Sequence, residues 1–373
     1  MKILITNARL ESYQGTEVVV RDLAMELKRQ GHEPLVYSPR LGPVAAEIKR
    51  CGIPVTDEMS SIGKTPDIIH GHHQQTLEAL LHFPSVPAIY VCHGANGYDE
   101  APFYFPRIQR YVAVDERCKQ RIADVPGIPP ERIGVMWNAV DLARFQKRTR
   151  LPDRPRRALV FSNGASRSTH LLPVRKACRQ MGIQVDVVGL RSGNPVTEPE
   201  RLLPGYDIVF AKARCALEAL AVGNAVVLCD FPGLGPMVSS RNFERLQPMN
   251  FGAGLLQRPV HPQLILSEIQ RYDPNDAAQV CERVRKASGL VESVQRWIQL
   301  YAEVIKQFDP LHRHVNEEYT ALTHYFARWN YGSRMEWERA QINKLRSVPV
   351  FGGVLYQMAR GILKKWTDVG KSF

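Results

Sequence analysis

The sequence predicts an α/β protein built from two doubly wound domains that face a cleft, followed by a helical tail. Three observations carry that reading. Strand-like and helix-like stretches alternate from residue 1 to about residue 308. A charged, Pro-containing run, "QKRTRLPDRPRR" at 146–157, interrupts the alternation once. After Phe308 the strand pattern stops. Repeated strand–helix–strand units of this length imply parallel sheets covered on both faces, and an interrupting charged segment with prolines marks a linker. We therefore divide the chain into residues 1–147, 148–308 and 309–373.

The elements follow in order. "KILITN" reads as the first strand. "TEVVVRDLAMELKRQG" carries Val19, Leu23 and Leu27 at helical spacing and closes on Gly31. "HEPLVYSP", "IPVT", "PDIIHGHH", "PAIYVCHG", "RYVAVDE" and "RIGVMWNAVD" read as further strands, with helices at "VAAEIKRCG" and "QQTLEALLHF". Beyond the linker, "ALVFSN", "IQVDVVGL", "YDIVFAKA" and "NAVVLCD" read as strands. "THLLPVRKACRQMG", "RCALEALAVG", "HPQLILSEIQRY", "PNDAAQVCERVRKASG" and "LVESVQRWIQLYAEVIKQF" read as helices.

Composition narrows the class. Hydrophobic residues make 44% and charged residues 23% of the 373, as in an ordinary globular protein. The 7 cysteines are scattered without a CxxC pair, which argues for a reducing compartment and against a disulfide or zinc framework. No stretch approaches the roughly 18 apolar residues a spanning helix needs, and the opening apolar run is read as a strand rather than a leader. The expected location is cytoplasmic, with peripheral contact at the inner membrane face. A net charge of +12 points to an anionic partner. The basic residues are spread along the chain with no nucleic-acid motif, so nucleic acid is set aside.

Five stretches carry chemistry. In "YQGTEVVV", Gly15 and Thr16 open a helix whose free N–H groups can face an anion. "PDIIHGHHQQ" places His70 and His72 on one strand face and His73 on the other; with no acidic or Cys ligand beside them in sequence, they are read as packing or cleft lining rather than a metal site. "YVCHGANG" ends a strand in His93, followed by Gly94 and Gly97. "GVMWNAVDLARF" offers Asn138 for a turn and Asp141 as a cap. "AKARCALEALAVGNAVVLCD" sets Lys212, Arg214 and a lone Glu218 ahead of Gly223 and a buried strand.

Together these stretches resemble the large bacterial group of GT-B-fold glycosyltransferases that use nucleotide sugars, over roughly residues 1–308. The resemblance implies two Rossmann-like domains, the acceptor bound to the first and the nucleotide sugar to the second. No metal is required by the sequence, which has no Asp-x-Asp, and no cofactor is expected. It implies that the turn at Gly15 and Thr16 faces the donor phosphates and the acceptor, that His93 lies near the transferred sugar, and that Glu218 hydrogen-bonds the donor ribose. Two departures stand out. The family's pattern Glu-x7-Glu has Phe210 at its first position here. Its Arg/Lys diphosphate clamp, about five residues apart, falls on "FSNGASRSTH", where Ala165 and His170 stand instead. A diphosphate still needs cations, so Arg167, Lys212 and Arg214 are the expected replacements, with Asn163 beside them on the donor side. Catalytic roles are expected for His93 and Glu218. The expected partners are a nucleotide-sugar donor and a glycan or lipid-linked acceptor of surface polysaccharide synthesis. A GT-B-like protein that binds without transferring is the alternative that Phe210 and the missing clamp favour. In the tail, Leu355, Ile362, Leu363 and Trp366 lie at helical spacing beside Arg360, Lys364 and Lys365, an amphipathic pattern suited to an anionic membrane surface.

Overall fold

A computed structural model describes residues 1–95, 97–231, 233–311 and 315–328. The first sheet contains β1 (Lys2–Thr6), β2 (Glu33–Tyr37), β3 (Val55–Thr56), β4 (Ile68–His72), β5 (Ala88–Cys92), β6 (Ile108–Ala113) and β7 (Ile133–Val135). Its order is β3-β2-β1-β4-β5-β6-β7, and every pair is parallel. Helices α1 (Gly15–Arg29), α2 (Pro43–Arg50), α3 (Gln75–His82) and α4 (Glu116–Ala123) connect its strands. The apolar runs predicted as strands are buried throughout β4 and β5, as a sheet covered on both faces requires.

The second sheet contains β8 (Arg157–Phe161), β9 (Gln184–Val188), β10 (Ile208–Ala211), β11 (Ala225–Asp230) and β12 (Gly233–Met237), in the order β12-β11-β10-β8-β9. β12 alone runs antiparallel to its neighbour. Around it lie α5 (Leu171–Gln180), α6 (Pro199–Leu202), α7 (Ala213–Val222), α8 (Phe243–Leu246), α9 (Pro262–Ile269) and α10 (Pro274–Ala287).

The chain passes between the halves twice, at residues 136–156 and 287–290. The two passages touch in parallel: Val140 N–H donates to Ser288 O at 2.8 Å and Leu290 N–H to Val140 O at 2.9 Å. After the second passage α11 (Leu290–Gln307) returns to the first half. Its Leu290, Val294, Tyr301 and Val304 join the core that holds Ile3, Ile5, Val20 and Leu27. The expected boundary had left these residues with the second half. Their apolar stripe looks the same from either side, so only the packing decides which core receives it. Asp141 caps the turn after the first passage, accepting from Ala143 N–H at 3.0 Å and Arg144 N–H at 3.2 Å. That fixes where Arg144 projects.

Both sheets and α11 lie within one compact unit, Met1–Pro102 with Arg107–His312. A second unit comprises Phe103–Pro106 and Arg313–Phe373. Within it, residues 315–328 are helical, and Tyr325 sets its ring edge-on to Phe103 at 5.1 Å between centroids. The amphipathic stretch read from 348 onward lies outside the described residues.

Candidate active site

The site sits where the ends of the first sheet's strands meet α7 of the second half. Ligands of open α/β sheets gather at such strand ends. The turn after β1 is built by its own side chains. Ser12 N–H donates to the Glu17 carboxylate at 2.5 Å, and Gln14 donates to Ser12 Oγ at 2.8 Å. Gly15 follows as the first residue of α1, with nothing within 4 Å of where a Cβ would lie. Space is left open above the helix N-terminus.

Two cavities adjoin there. One, of about 90 Å³, is lined by Tyr13, Arg144, Phe161, Asn163, Gly189 and Glu218, among others. The other, of about 290 Å³, is lined by Thr16, Glu17, His73, His93 and Glu100, among others. Gln14, Gly15 and Arg214 line both. A group moved from one cavity to the other would pass these three residues.

Arg214 is the centre of the electrostatics. It is nearly buried, at 9% exposure. It lies one turn before Glu218 on α7, so the two share a helix face, and its Nε donates to Glu218 Oε1 at 2.8 Å. Its other arm crosses to the first half and pairs with Asp22 on α1. Arg21 also holds Asp22, at 2.6 Å, and Arg144 approaches Asp22 at 3.8 Å and Glu200 at 2.9 Å. Burial pushes the Asp22 carboxyl up, but the Arg214, Arg21 and Arg144 guanidiniums outweigh it and hold it below the usual carboxylate range. Glu218 is the opposite case. Burial raises it, and the nearby Asp22 charge adds to that, beyond what Arg214 offsets.

The histidines form a second network. His93 Nε2 and His72 Nδ1 lie 2.7 Å apart with the rings stacked. His70 packs against His72, 4.7 Å between centroids, and its Nδ1 meets the Tyr301 hydroxyl of α11 at 2.6 Å. Burial keeps both neutral: His70 is pushed down to about 3 and His93 to about 4. His72 falls as well. His73 follows β4 at φ 59, a left-handed conformation uncommon outside glycine. It is among the residues that line the 290 Å³ cavity. Among the described residues no group of three or more His, Cys, Asp or Glu is arranged to hold a metal ion.

The sequence-predicted residues divide accordingly. Gly15, Asn163, Arg214 and Glu218 line the smaller cavity, and Gly15, Thr16, His93 and Arg214 the larger. Arg167 and Lys212 line neither. Arg167 is exposed. Lys212 pairs with Asp230 at 2.8 Å, beside a Ser162 hydroxyl that donates to the same carboxylate at 2.7 Å. Phe210 is fully buried in β10, and Ala165 is buried too, so neither family position presents a polar group to the cleft. Sequence reading missed Asp22, Arg144 and Glu100. For Asp22 a signal existed: a carboxylate amid the apolar stripe of α1, between Val19 and Leu23.

Two Rossmann-like sheets with paired cavities between them define a GT-B protein, and the comparisons place its relatives. Residues 13–144 match the model of Glycosyltransferase Family 4. HepE of Anabaena, solved with UDP and glucose, shares the fold at 14% identity and a TM-score of 0.58, over 81% of this chain and 99% of that one. Sucrose-phosphate synthase from Thermosynechococcus elongatus does so at 14% identity and 0.55, over 82% and 99%. A Listeria monocytogenes structure assigned as a UDP-N-acetylglucosamine 2-epimerase does so at 13% and 0.51, over 84% and 99%. No curated protein matches by sequence. The fold is that of the GT-B nucleotide-sugar glycosyltransferases, and the first third of the chain carries a glycosyltransferase signature.

Proposed function

We propose that the chain transfers a hexosyl group from a nucleotide sugar to a hydroxyl of a glycan or lipid-linked acceptor, in the synthesis of surface polysaccharide or a related glycoconjugate. The observation that carries this reading is the pair of adjoining cavities partitioned by Gln14, Gly15 and Arg214. The donor nucleotide takes the smaller cavity, with Glu218 and Asn163 toward its ribose. Its diphosphate lies at Gly15 and Arg214, where a helix N-terminus and a guanidinium supply positive field. The acceptor takes the larger cavity beside His93. Neither metal nor cofactor is needed, since orientation across the cleft and stabilisation of the departing diphosphate supply the catalysis. Retention of anomeric configuration is the course the resemblance implies. Peripheral contact with an anionic membrane through the tail completes the proposal. No helix among the described residues is long and apolar enough to cross a membrane.

At about 90 Å³ the smaller cavity is below the roughly 300–1,000 Å³ of ordinary ligand sites. A donor therefore needs this cavity to widen, and Arg214, held by Asp22 and Glu218, is the charged lining group that stands in its way. Phe210 and Ala165 favour a second reading, a protein that binds nucleotide without turnover. Calorimetry with UDP and GDP, followed by assay of nucleoside diphosphate release from their sugars, tests both. Release supports transfer; binding without release supports the second reading; no binding rejects both.

A further inference from the structure

The larger cavity holds a carboxylate that neither the sequence reading nor the donor chemistry uses. Glu100 follows the glycine-containing turn after β5, and its side chain is 24% exposed. It is placed with care. Its Oε2 lies 1.7 Å from where a Cβ on Gly94 would stand, and 2.8 Å from one on Gly97. Only glycine at 94 leaves the carboxylate its seat. The same turn is stapled from below by Arg121, which donates to Gly94 O and Gly97 O, each at 2.5 Å.

His73 supplies the other wall. Its Nδ1 accepts the Ala8 N–H at 3.3 Å, so Nε2 is the nitrogen that carries a proton. That Nε2 faces Glu100 Oε1 at 3.7 Å. His73 holds this place with a left-handed backbone, φ 59. Burial raises the Glu100 carboxyl, but the hydrogen-bonding approach of His73 first, and the Arg121 guanidinium with it, hold it below the usual range. The group is an anion at neutral pH. It shares the cavity with His93, and that cavity opens past Gly15 and Arg214 to the donor side.

We propose that Glu100 is the residue that receives the hydrogen bond of the acceptor hydroxyl, with His73 and Gly94 as its positioning residues. The inference rests on the transferase reading above and names the group that orients the attacking oxygen. A carboxylate accepts from a sugar hydroxyl through a charge-assisted bond, stronger than a neutral one. Oε1 lies toward His73 and Oε2 over Gly94 and Gly97, and the side chain lines the cavity, where a sugar hydroxyl can donate to it.

The test uses the full chain with UDP-glucose, UDP-N-acetylglucosamine and GDP-mannose, and with glucose as the acceptor. Glu100→Gln should bind UDP as the parent does by calorimetry, while nucleoside diphosphate release falls about ten- to a hundredfold. Gly94→Ala keeps the carboxylate but drives it from its seat, and should reproduce the loss, which guards against misfolding of the first variant. Glu100→Asp should lie between. Release by Glu100→Gln within threefold of the parent overturns the assignment, as does a UDP affinity that falls in step with the rate. A parent chain that binds neither UDP nor GDP refutes the transferase reading, and this one with it.

Discussion

Replacing Asp22 by Asn removes the anion through which α1 of the first half pairs with Arg214 of the second. In the folded chain Asp22 is 5% exposed. It takes two hydrogen bonds from Arg21, at 2.6 and 2.8 Å, and one from Arg214. Breaking a buried pair by deleting one partner costs about 3–5 kcal/mol, chiefly because the partner stays charged and unmet. Arg214 keeps Glu218 and Arg21 keeps Glu47 at 3.4 Å, so the lower end, about 3 kcal/mol, is expected. With an unfolding entropy of ~2.1 cal/mol/K per residue over roughly 300 residues, that corresponds to a Tm lower by about 5 °C.

The pH dependence gives a second handle on the same substitution. The Asp22 pKa is depressed in the fold. Its contribution is therefore fully present above the unfolded value, about 3.9, and is lost as pH falls through the folded value. The gap between parent and Asp22→Asn should be constant from pH 5 to 8 and close only below about pH 4. Urea unfolding followed by circular dichroism across that range measures it. A gap under about 1 kcal/mol at neutral pH, or one that widens on acidification, would refute the view of Asp22 as the electrostatic joint between the halves.

Glu218→Ala should weaken UDP or GDP binding about ten- to a hundredfold, measured by calorimetry; unchanged affinity in a folded variant removes Glu218 from the donor site. Arg214→Ala should harm diphosphate binding far more than nucleoside binding. Arg167→Ala and Lys212→Ala, outside both cavities, should change either within about twofold, and a tenfold loss at Lys212 would return it to the clamp. Buried His70 titrates near 3 instead of about 6.5. The unfolded chain thus binds its proton first as pH falls, and parent stability should decline below pH 6.5 by up to about 1.4 kcal/mol per pH unit for this imidazole; His70→Gln should show a shallower slope in urea titrations. A chain ending near Pro349 should lose any binding to vesicles containing anionic lipid that the full chain shows in flotation at low salt; equal recovery of both forms would remove the tail from the membrane proposal.

Why the fold was legible and the site only partly so follows from particular residues. Strands such as β5 and β10 are buried on both faces, and an apolar run between turn residues announces itself at any position in a chain. Gly15, His93 and Glu218 line the cavities, and they could be singled out because a glycine turn, a histidine after a strand and a lone carboxylate in an apolar helix match a family pattern. The cations could not. Arg167, Lys212 and Arg214 are equivalent as letters, and which one faces the cleft depends on the carboxylate each meets. Asp230 draws Lys212 to the ends of β8 and β11, whereas Asp22 and Glu218 draw Arg214 between the halves. Asp22 and Arg214 stand 192 positions apart in the chain, and no local pattern links them. Glu100 is harder still. Its role depends on the absence of a side chain at Gly94 and on His73, which strand alternation was expected to set opposite His70 and His72 but which lies beyond the end of β4 in a left-handed conformation. The polar half of a two-domain cleft is set by pairings between the halves, so it becomes readable only once both have folded against each other.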